Sequence, residues 1–313
     1  MTETLAAEDS PAPAAAKDPV RAPTAVVRRP SCGDPVLWLI VAVYVGARLL
    51  EILPNPVPRM AIVALDVLSA MAFALVHGAR EYGLRGILRY IGICIVVGNL
   101  IENVGVMTGI PFGRYYFVEL MGPKLFNVPI LLGLAYIGMS YVSWMLARLI
   151  AGSGDPGNGE AGLLNLPIVA SFIMVAWDLA QDPVWSTVLR GWVWNDGGPW
   201  FGVPVSNYFG WYLTVFIVYL LFAASLRRRV IVPAPSGRAN WRLAVVFYAV
   251  CAAANVLQRI PAPNPAIVAD PTGKLWRVAD ITGASALVSV FVMGAFAAMA
   301  WARIARTEAQ ARD

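Results

Sequence analysis

Residues 86–107 read GILRYIGICIVVGNLIENVGVM. As one helix the run is long enough to cross the ~30 Å hydrocarbon core of a bilayer, yet it carries Glu102 near its far end. Ionisable side chains are costly inside a membrane and are functional candidates for that reason. Asn99, Glu102 and Asn103 are spaced i, i+3 and i+4, so they share one helix face. The stretch is a membrane helix with a carboxyl held in it.

Further apolar runs lie near 35–53, 57–79, 128–150, 163–182, 207–226, 240–259 and 279–302. The expected architecture is therefore all-α, a polytopic transmembrane helical bundle of about eight spans. An Ala- and Pro-rich segment over 1–33 reads as a disordered cytoplasmic tail, 34–304 as the transmembrane catalytic domain, and 305–313 as a short C-terminal tail. Pro54, Pro56 and Pro58 break the chain after the first run, 80–89 is expected as a loop, and 152–162 reads as a Gly/Ser/Asp linker. Composition agrees: 58% of residues are hydrophobic, only 14% are charged, and mean hydropathy is +0.64, which excludes a soluble globule.

Of the 24 Lys and Arg, sixteen fall on the side of the two termini and seven on the other, with Arg48 inside the first span. The positive-inside rule then places both termini in the cytoplasm. This distribution explains the net charge of +5 by topology, so no nucleic-acid partner is expected. Cys32, Cys94 and Cys251 are scattered and His77 is the single histidine, so neither a disulfide framework nor a Cys/His metal site is implied. Gly152 to Gly157 fits GxGxxG but lacks a preceding strand, and is no dinucleotide fingerprint.

Other ionisable groups in or at the spans are Arg48, Glu51, Asp66, Asp178, Asp182 and Asp280. Asp178 and Asp182 are one turn apart on one face. By the predicted topology they lie at the depth of Glu102, under loops 108–127 and 183–206. The Asp pair resembles half of a diphosphate-binding motif, but a second Asp-rich motif and a Lys/Arg cluster are missing, which disfavours magnesium-assisted chemistry. Three carboxyls in a water-poor site resist full ionisation and suit proton donation and acceptance. The competing reading makes Glu102 a packing residue paired with Asn99, Arg114 or backbone. His77 is expected as an interfacial hydrogen-bonder, and Asp280 as a helix-opening acid.

Six of the eleven tryptophans lie between 177 and 211, and loop 108–117 adds Phe112, Tyr115, Tyr116 and Phe117. An interfacial aromatic belt explains many such rings. A lid of π faces over the carboxyls, able to stabilise a cation, is the sharper reading.

The run Glu102-Asn103-Val104-Gly105-Val106-Met107-Thr108-Gly109-Ile110-Pro111-Phe112-Gly113-Arg114-Tyr115-Tyr116, with Gly122-Pro123 and Val128-Pro129, resembles the carotenoid biosynthesis membrane protein family. A second block carries the same resemblance: Asp182-Pro183, Trp192-Val193-Trp194, Gly197, Phe201-Gly202-Val203-Pro204, Asn207 and Gly210-Trp211. That family includes carotenoid end-group hydratases of the gamma-carotene and bisanhydrobacterioruberin types. The resemblance implies addition of water across the terminal C=C of an acyclic carotenoid end, giving a tertiary alcohol without a cofactor. Its implied partners are a hydrophobic carotenoid drawn from the bilayer, membrane lipid and other carotenoid-pathway enzymes, in a prokaryotic cell membrane. On that reading Glu102 or Asp182 donates the proton and Asp178 is base or cation stabiliser. Asn103, Asn207 and Tyr115 orient water, and Thr108, Phe112, Tyr116, Trp194 and Trp211 contact substrate. A carotenoid cyclase, a prenyl-transferring enzyme and a non-enzymatic carotenoid or lipid binder remain open.

Overall fold

The structure, a computed structural model, describes residues 34–152, 160–227, 238–259 and 264–310. The expected tail over 1–33 and most of the 152–162 linker lie outside them. The described residues all belong to one unit.

Seven helices among the described residues are long and apolar enough to cross a membrane. In chain order they begin with α1 (Pro35–Ile52), α2 (Arg59–Thr108), α3 (Ile130–Ala151) and α4 (Glu160–Pro183). A π-helical turn, Val184–Val188, extends α4. Then come α5 (Val205–Arg227), α6 (Arg238–Leu257), α7 (Val278–Val288) and α8 (Gly294–Ala309), the last two joined by a π turn, Ser289–Met293, into one long helix. The protein is thus an all-α polytopic helical protein. The last helix runs to Ala309, five residues past the expected boundary.

The 50-residue α2 takes the place of two expected spans and the loop at 80–89. It is folded double. Gly83 has φ 69 and ψ 165, a backbone state open to glycine at little cost. A Cβ on Gly78 would lie 2.4 Å from Ile87 Cδ1. In a straight helix those residues would stand about 13 Å apart along the axis. Ser140 of α3 accepts the Tyr90 hydroxyl at 2.8 Å, while a Cβ on neighbouring Gly138 would meet Ala70 Cβ at 2.8 Å. Segments 59–82 and 84–108 therefore flank the same turns of α3, and one glycine does the work expected of a ten-residue loop. Buried Tyr82 and Ile87 show why: the reversal is packed into the bundle.

The reversal end gathers the start of α1, the end of α3 and the start of α6. Asp34 pairs there with Arg80, and Trp241 Nε1 donates to Glu81 at 2.9 Å. The opposite end gathers the end of α2, the start of α3, the end of α4 and the start of α5, with the two unusual loops over it. His77 is fully packed at 1% exposure. It shares a hydrogen bond with Tyr141 at 2.7 Å and another with the Asn240 carbonyl at 3.0 Å, so it is a core residue and not an interfacial one.

Candidate active site

The two unusual loops build one object. β1 (Tyr115–Phe117) pairs antiparallel with β4 (Trp192–Trp194), matching Tyr115 to Trp194 and Phe117 to Trp192. Side chains alternate across a strand, so Tyr115, Phe117, Trp192 and Trp194 are buried on the inner face. Tyr116 is on the outer face and 50% exposed. Outside, Arg114 grips Asp196 through Nε to Oδ2 at 2.8 Å and through a second nitrogen. The Asn195 N–H donates to the Arg114 carbonyl at 2.8 Å. The Arg114 guanidinium hydrogen-bonded to Asp196 holds its carboxyl below the ordinary value. Burial and the facing Glu102 push the Tyr115 phenol well above its own, so it remains a proton donor.

Under this ribbon lie the carboxyls. Tyr115 donates to Glu102 Oε1 at 2.7 Å. Glu102 Oε2 is buried and has no protein hydrogen-bond partner. Asp182 is the most heavily bonded acid of the site. Its Oδ1 accepts Trp192 Nε1 at 2.8 Å and Trp194 Nε1 at 3.4 Å, and its Oδ2 accepts Asn207 Nδ2 at 2.6 Å. Asp178, one turn earlier, takes the same Asn207 amide at 3.3 Å and the Tyr136 hydroxyl at 3.4 Å. Glu102 and Asp182 line one small cavity of about 10 Å³, the room of roughly one water-sized sphere. The alternative pairing of Glu102 with Asn99 or Arg114 does not occur among the described residues.

The remaining expected residues divide by position. Asn207 bridges the two aspartates. Phe112 is 1% exposed and packs against Tyr115 and Trp211, with ring centroids 6.3 and 5.3 Å away. It fits because a Cβ at Gly105 or Gly210 would collide with its ring. Trp211 stacks on Tyr136 at 3.8 Å. Of the expected site residues, Asp178, Phe112, Asn103, Thr108 and Tyr116 do not line the carboxyl cavity, and Asp178 lines the adjoining one instead. Asn103 donates to Asn99 and accepts from Asn127 N–H at 2.9 Å, clamping the loop to the helix. Thr108 caps the end of α2, donating to the Val104 carbonyl at 2.6 Å and accepting from Ile110 N–H. Tyr116 is turned outward by strand alternation.

Sequence reasoning passed over Tyr136 and did not single out Trp192. Trp192 could have been found by pairing the two loops as strands, since it then falls on the face of Trp194. Tyr136 gave no signal, being one aromatic ring in an apolar run. It lines the small cavity and both cavities beside it. One neighbour, of about 70 Å³, reaches from Asp178 to Arg48, Glu51 and Asp66. The other is apolar and reaches Glu102.

Fold and site define a polytopic helical membrane protein with carboxyl groups enclosed under an aromatic cover. The chain belongs to the carotenoid biosynthesis protein family, whose sequence profile matches residues 60–270, and its role lies in carotenoid biosynthesis. It is similar to the bisanhydrobacterioruberin hydratase of Haloarcula japonica, 30% identical over 151 residues that make up 45% of this chain and 49% of that one. The match thus spans about half the length of that relative. No solved structure matches.

Proposed function

We propose that this chain is a carotenoid hydratase of the hydro-lyase type, adding water to the terminal C=C of an acyclic end group. One observation carries the reading. The unpartnered Glu102 Oε2 and the triply bonded Asp182 share a cavity with room for about one water beneath a cover of aromatic rings.

The hydrogen bonds favour a division of labour. Glu102 carries its proton on Oε2, the oxygen that no protein donor occupies. That proton passes to the less substituted carbon of the terminal double bond, and the π pair becomes the new C–H bond. The positive charge develops on the tertiary carbon. Both oxygens of Asp182 are held as acceptors by N–H groups that cannot take a proton from it. Asp182 therefore stabilises the cation electrostatically, with the Trp211 and Tyr115 side chains lining the same cavity. A water lone pair then closes the C–O bond, and the released proton goes to Asp182. Its return to Glu102 restores the starting state, so no redox partner is consumed. Asn207 and Asp178 hold this arrangement in place.

The substrate reaches the site laterally from the bilayer of a prokaryotic cell membrane, supplied by other enzymes acting on the same pigments. With both termini cytoplasmic, the carboxyls face the opposite leaflet. The test is expression with a lycopene- or gamma-carotene-producing pathway, followed by mass spectrometry of the extracted pigment. The expected product gains one water, and Glu102→Gln loses it. Unchanged mass would point to cyclisation or binding alone, an added prenyl unit to prenyl transfer, and each would overturn the reading.

A further inference from the structure

The apolar cavity beside Glu102 has a volume of about 160 Å³ and lies between segment 84–108 of α2, α3 and α5. At its mouth stand Ile95, Leu125 and Ile130, each between 44% and 47% exposed. It runs inward past Gly98 and Gly133 to the buried Ile137 and Ser140.

Its wall offers almost nothing polar. Thr214 donates to the Gly210 carbonyl at 2.8 Å, and Ser140 to the Ile137 carbonyl at 3.2 Å while accepting from Tyr90. Asn99 accepts the Asn103 amide. Of the described residues lining the groove, only Glu102 has a buried side-chain oxygen without a partner. An apolar cleft that ends on one unsatisfied carboxyl is built for a hydrocarbon whose reactive bond lies at its tip.

Size narrows the occupant. A cavity of ~150 Å³ lined by aliphatic groups takes up benzene, a six-carbon ring. One branched five-carbon isoprenoid unit fits the present volume, whereas a ring bearing several methyl groups does not. Two glycines keep the groove open. A Cβ at Gly98 or at Gly133 would meet nothing within 4 Å, so neither glycine is demanded by packing against protein. That free space is where a ligand lies.

Resting on the hydratase reading, we propose that this groove lodges the acyclic isoprenoid end of the polyene. Gly98 and Gly133 set its width, and the outermost double bond is delivered to Glu102. The two glycines thereby select acyclic over cyclised ends.

The test uses the full-length protein in lipid nanodiscs loaded with lycopene, and separately with β-carotene. Binding is read from the polyene absorption band and conversion from product mass. Gly133→Leu fills the groove and is expected to weaken lycopene binding and conversion about tenfold or more, at an unchanged melting temperature. Gly98→Ala and Gly133→Ala, each adding one methyl, raise KM several-fold with kcat preserved, the signature of lost binding common to ground and transition states. Gly92→Leu, at a glycine with equal free space that does not line the groove, leaves both readouts unchanged. Wild-type KM and binding in Gly133→Leu, as expected if the groove holds only an acyl chain of the bilayer, would overturn the proposal, as would equal binding of β-carotene. The two readings part cleanly. If the parent protein binds lycopene without changing its mass and Gly133→Leu loses that binding, hydration fails and the groove stands. If the parent and Gly133→Leu hydrate lycopene alike, the groove fails and hydration stands.

Discussion

The helices of this protein hold two kinds of carboxyl. Glu81 faces Arg148 at 3.3 Å. Glu51 and Asp66 face Arg48 at 2.8 and 3.9 Å, and Arg48 also reaches Asn255. Glu102, Asp178 and Asp182 have no cation on them among the described residues; their donors are Tyr, Trp and Asn. The difference is chemical. An arginine fixes an acid in its charged form, and removing either partner strands a charge. Neutral donors let an acid gain or lose a proton without abandoning an ion pair. On the proposed function, the arginine-paired acids serve the fold, whereas the arginine-free acids are the ones that move protons.

The strongest way to break this division is to neutralise an acid of each kind. Glu102→Gln keeps the Tyr115 contact but has no proton to give. The expected loss of conversion is about 10²- to 10⁴-fold, the usual worth of a positioned acid, with the melting temperature near the parent's. Asp182→Asn should fall in the same range. A Glu102→Gln protein that still hydrates carotenoid at the parental rate would remove Glu102 from the chemistry.

The paired acids should behave in the opposite way. Arg148→Met leaves Glu81 buried at 1% exposure without its cation. Stranding a buried charge costs about 3–5 kcal/mol, read as a large drop in melting temperature. Conversion per folded molecule should be unchanged. Lost conversion at unchanged stability would move the Arg148–Glu81 pair into the active site and dissolve the distinction.

That the two kinds exist was partly legible in the sequence. Hydropathy located every span among the described residues, because only a bilayer asks for so long a run of apolar residues. Spacing put Asp178 and Asp182 on one face, and topology put Glu102 at their depth. The reversal at Gly83 was hidden. Arg80, Arg85 and Arg89 made 80–89 read as a loop, whereas the chain turns at a single residue. Two of the arginine contacts were hidden too, since Arg48 to Asn255 and Arg148 to Glu81 join residues far apart in the chain. Aromatic clustering announced a cover but not its construction. Only the pairing of Tyr115–Phe117 with Trp192–Trp194 sorts Trp192 inward and Tyr116 outward, and short strands in long loops leave no periodicity to read. Asn103 and Thr108 came from the run that carries the family resemblance, yet their side chains are engaged by the end of α2 and the loop beside it.

Within the arginine-free set the strength of the neutral donors can be graded. Trp192→Phe deletes the 2.8 Å bond to Asp182 while keeping a ring. A hydrogen bond to a charged group is worth about 1.5–3 kcal/mol, so conversion should fall roughly 10- to 150-fold. Trp194→Phe deletes a bond of 3.4 Å and should cost less. Steady-state rates on one membrane preparation rank the two. The reverse order would mean that ring packing, and not donation to Asp182, is what the tryptophans supply.

The smallest effect belongs to a third kind of pair, Arg114 with Asp196, which fastens the cover from outside, its two side chains 70% and 53% exposed. Solvent screens such pairs, so they stabilise little. The sign of the pH dependence still follows. The hydrogen bond from Arg114 holds the Asp196 carboxyl below its ordinary value, and an unfolded aspartate titrates near ~3.9. The pair therefore contributes fully above that point, and its contribution fades as pH falls through the lower, folded value. Asp196→Asn should melt slightly below the parent at neutral pH. The gap should close on acidification below about pH 4 and shrink in high salt, while conversion stays near the parental rate. A large loss of conversion with no change in melting would mean that the clasp sets the position of Tyr115 and Trp194 over the acids. The boundary between holding and reacting would then run through the ribbon itself.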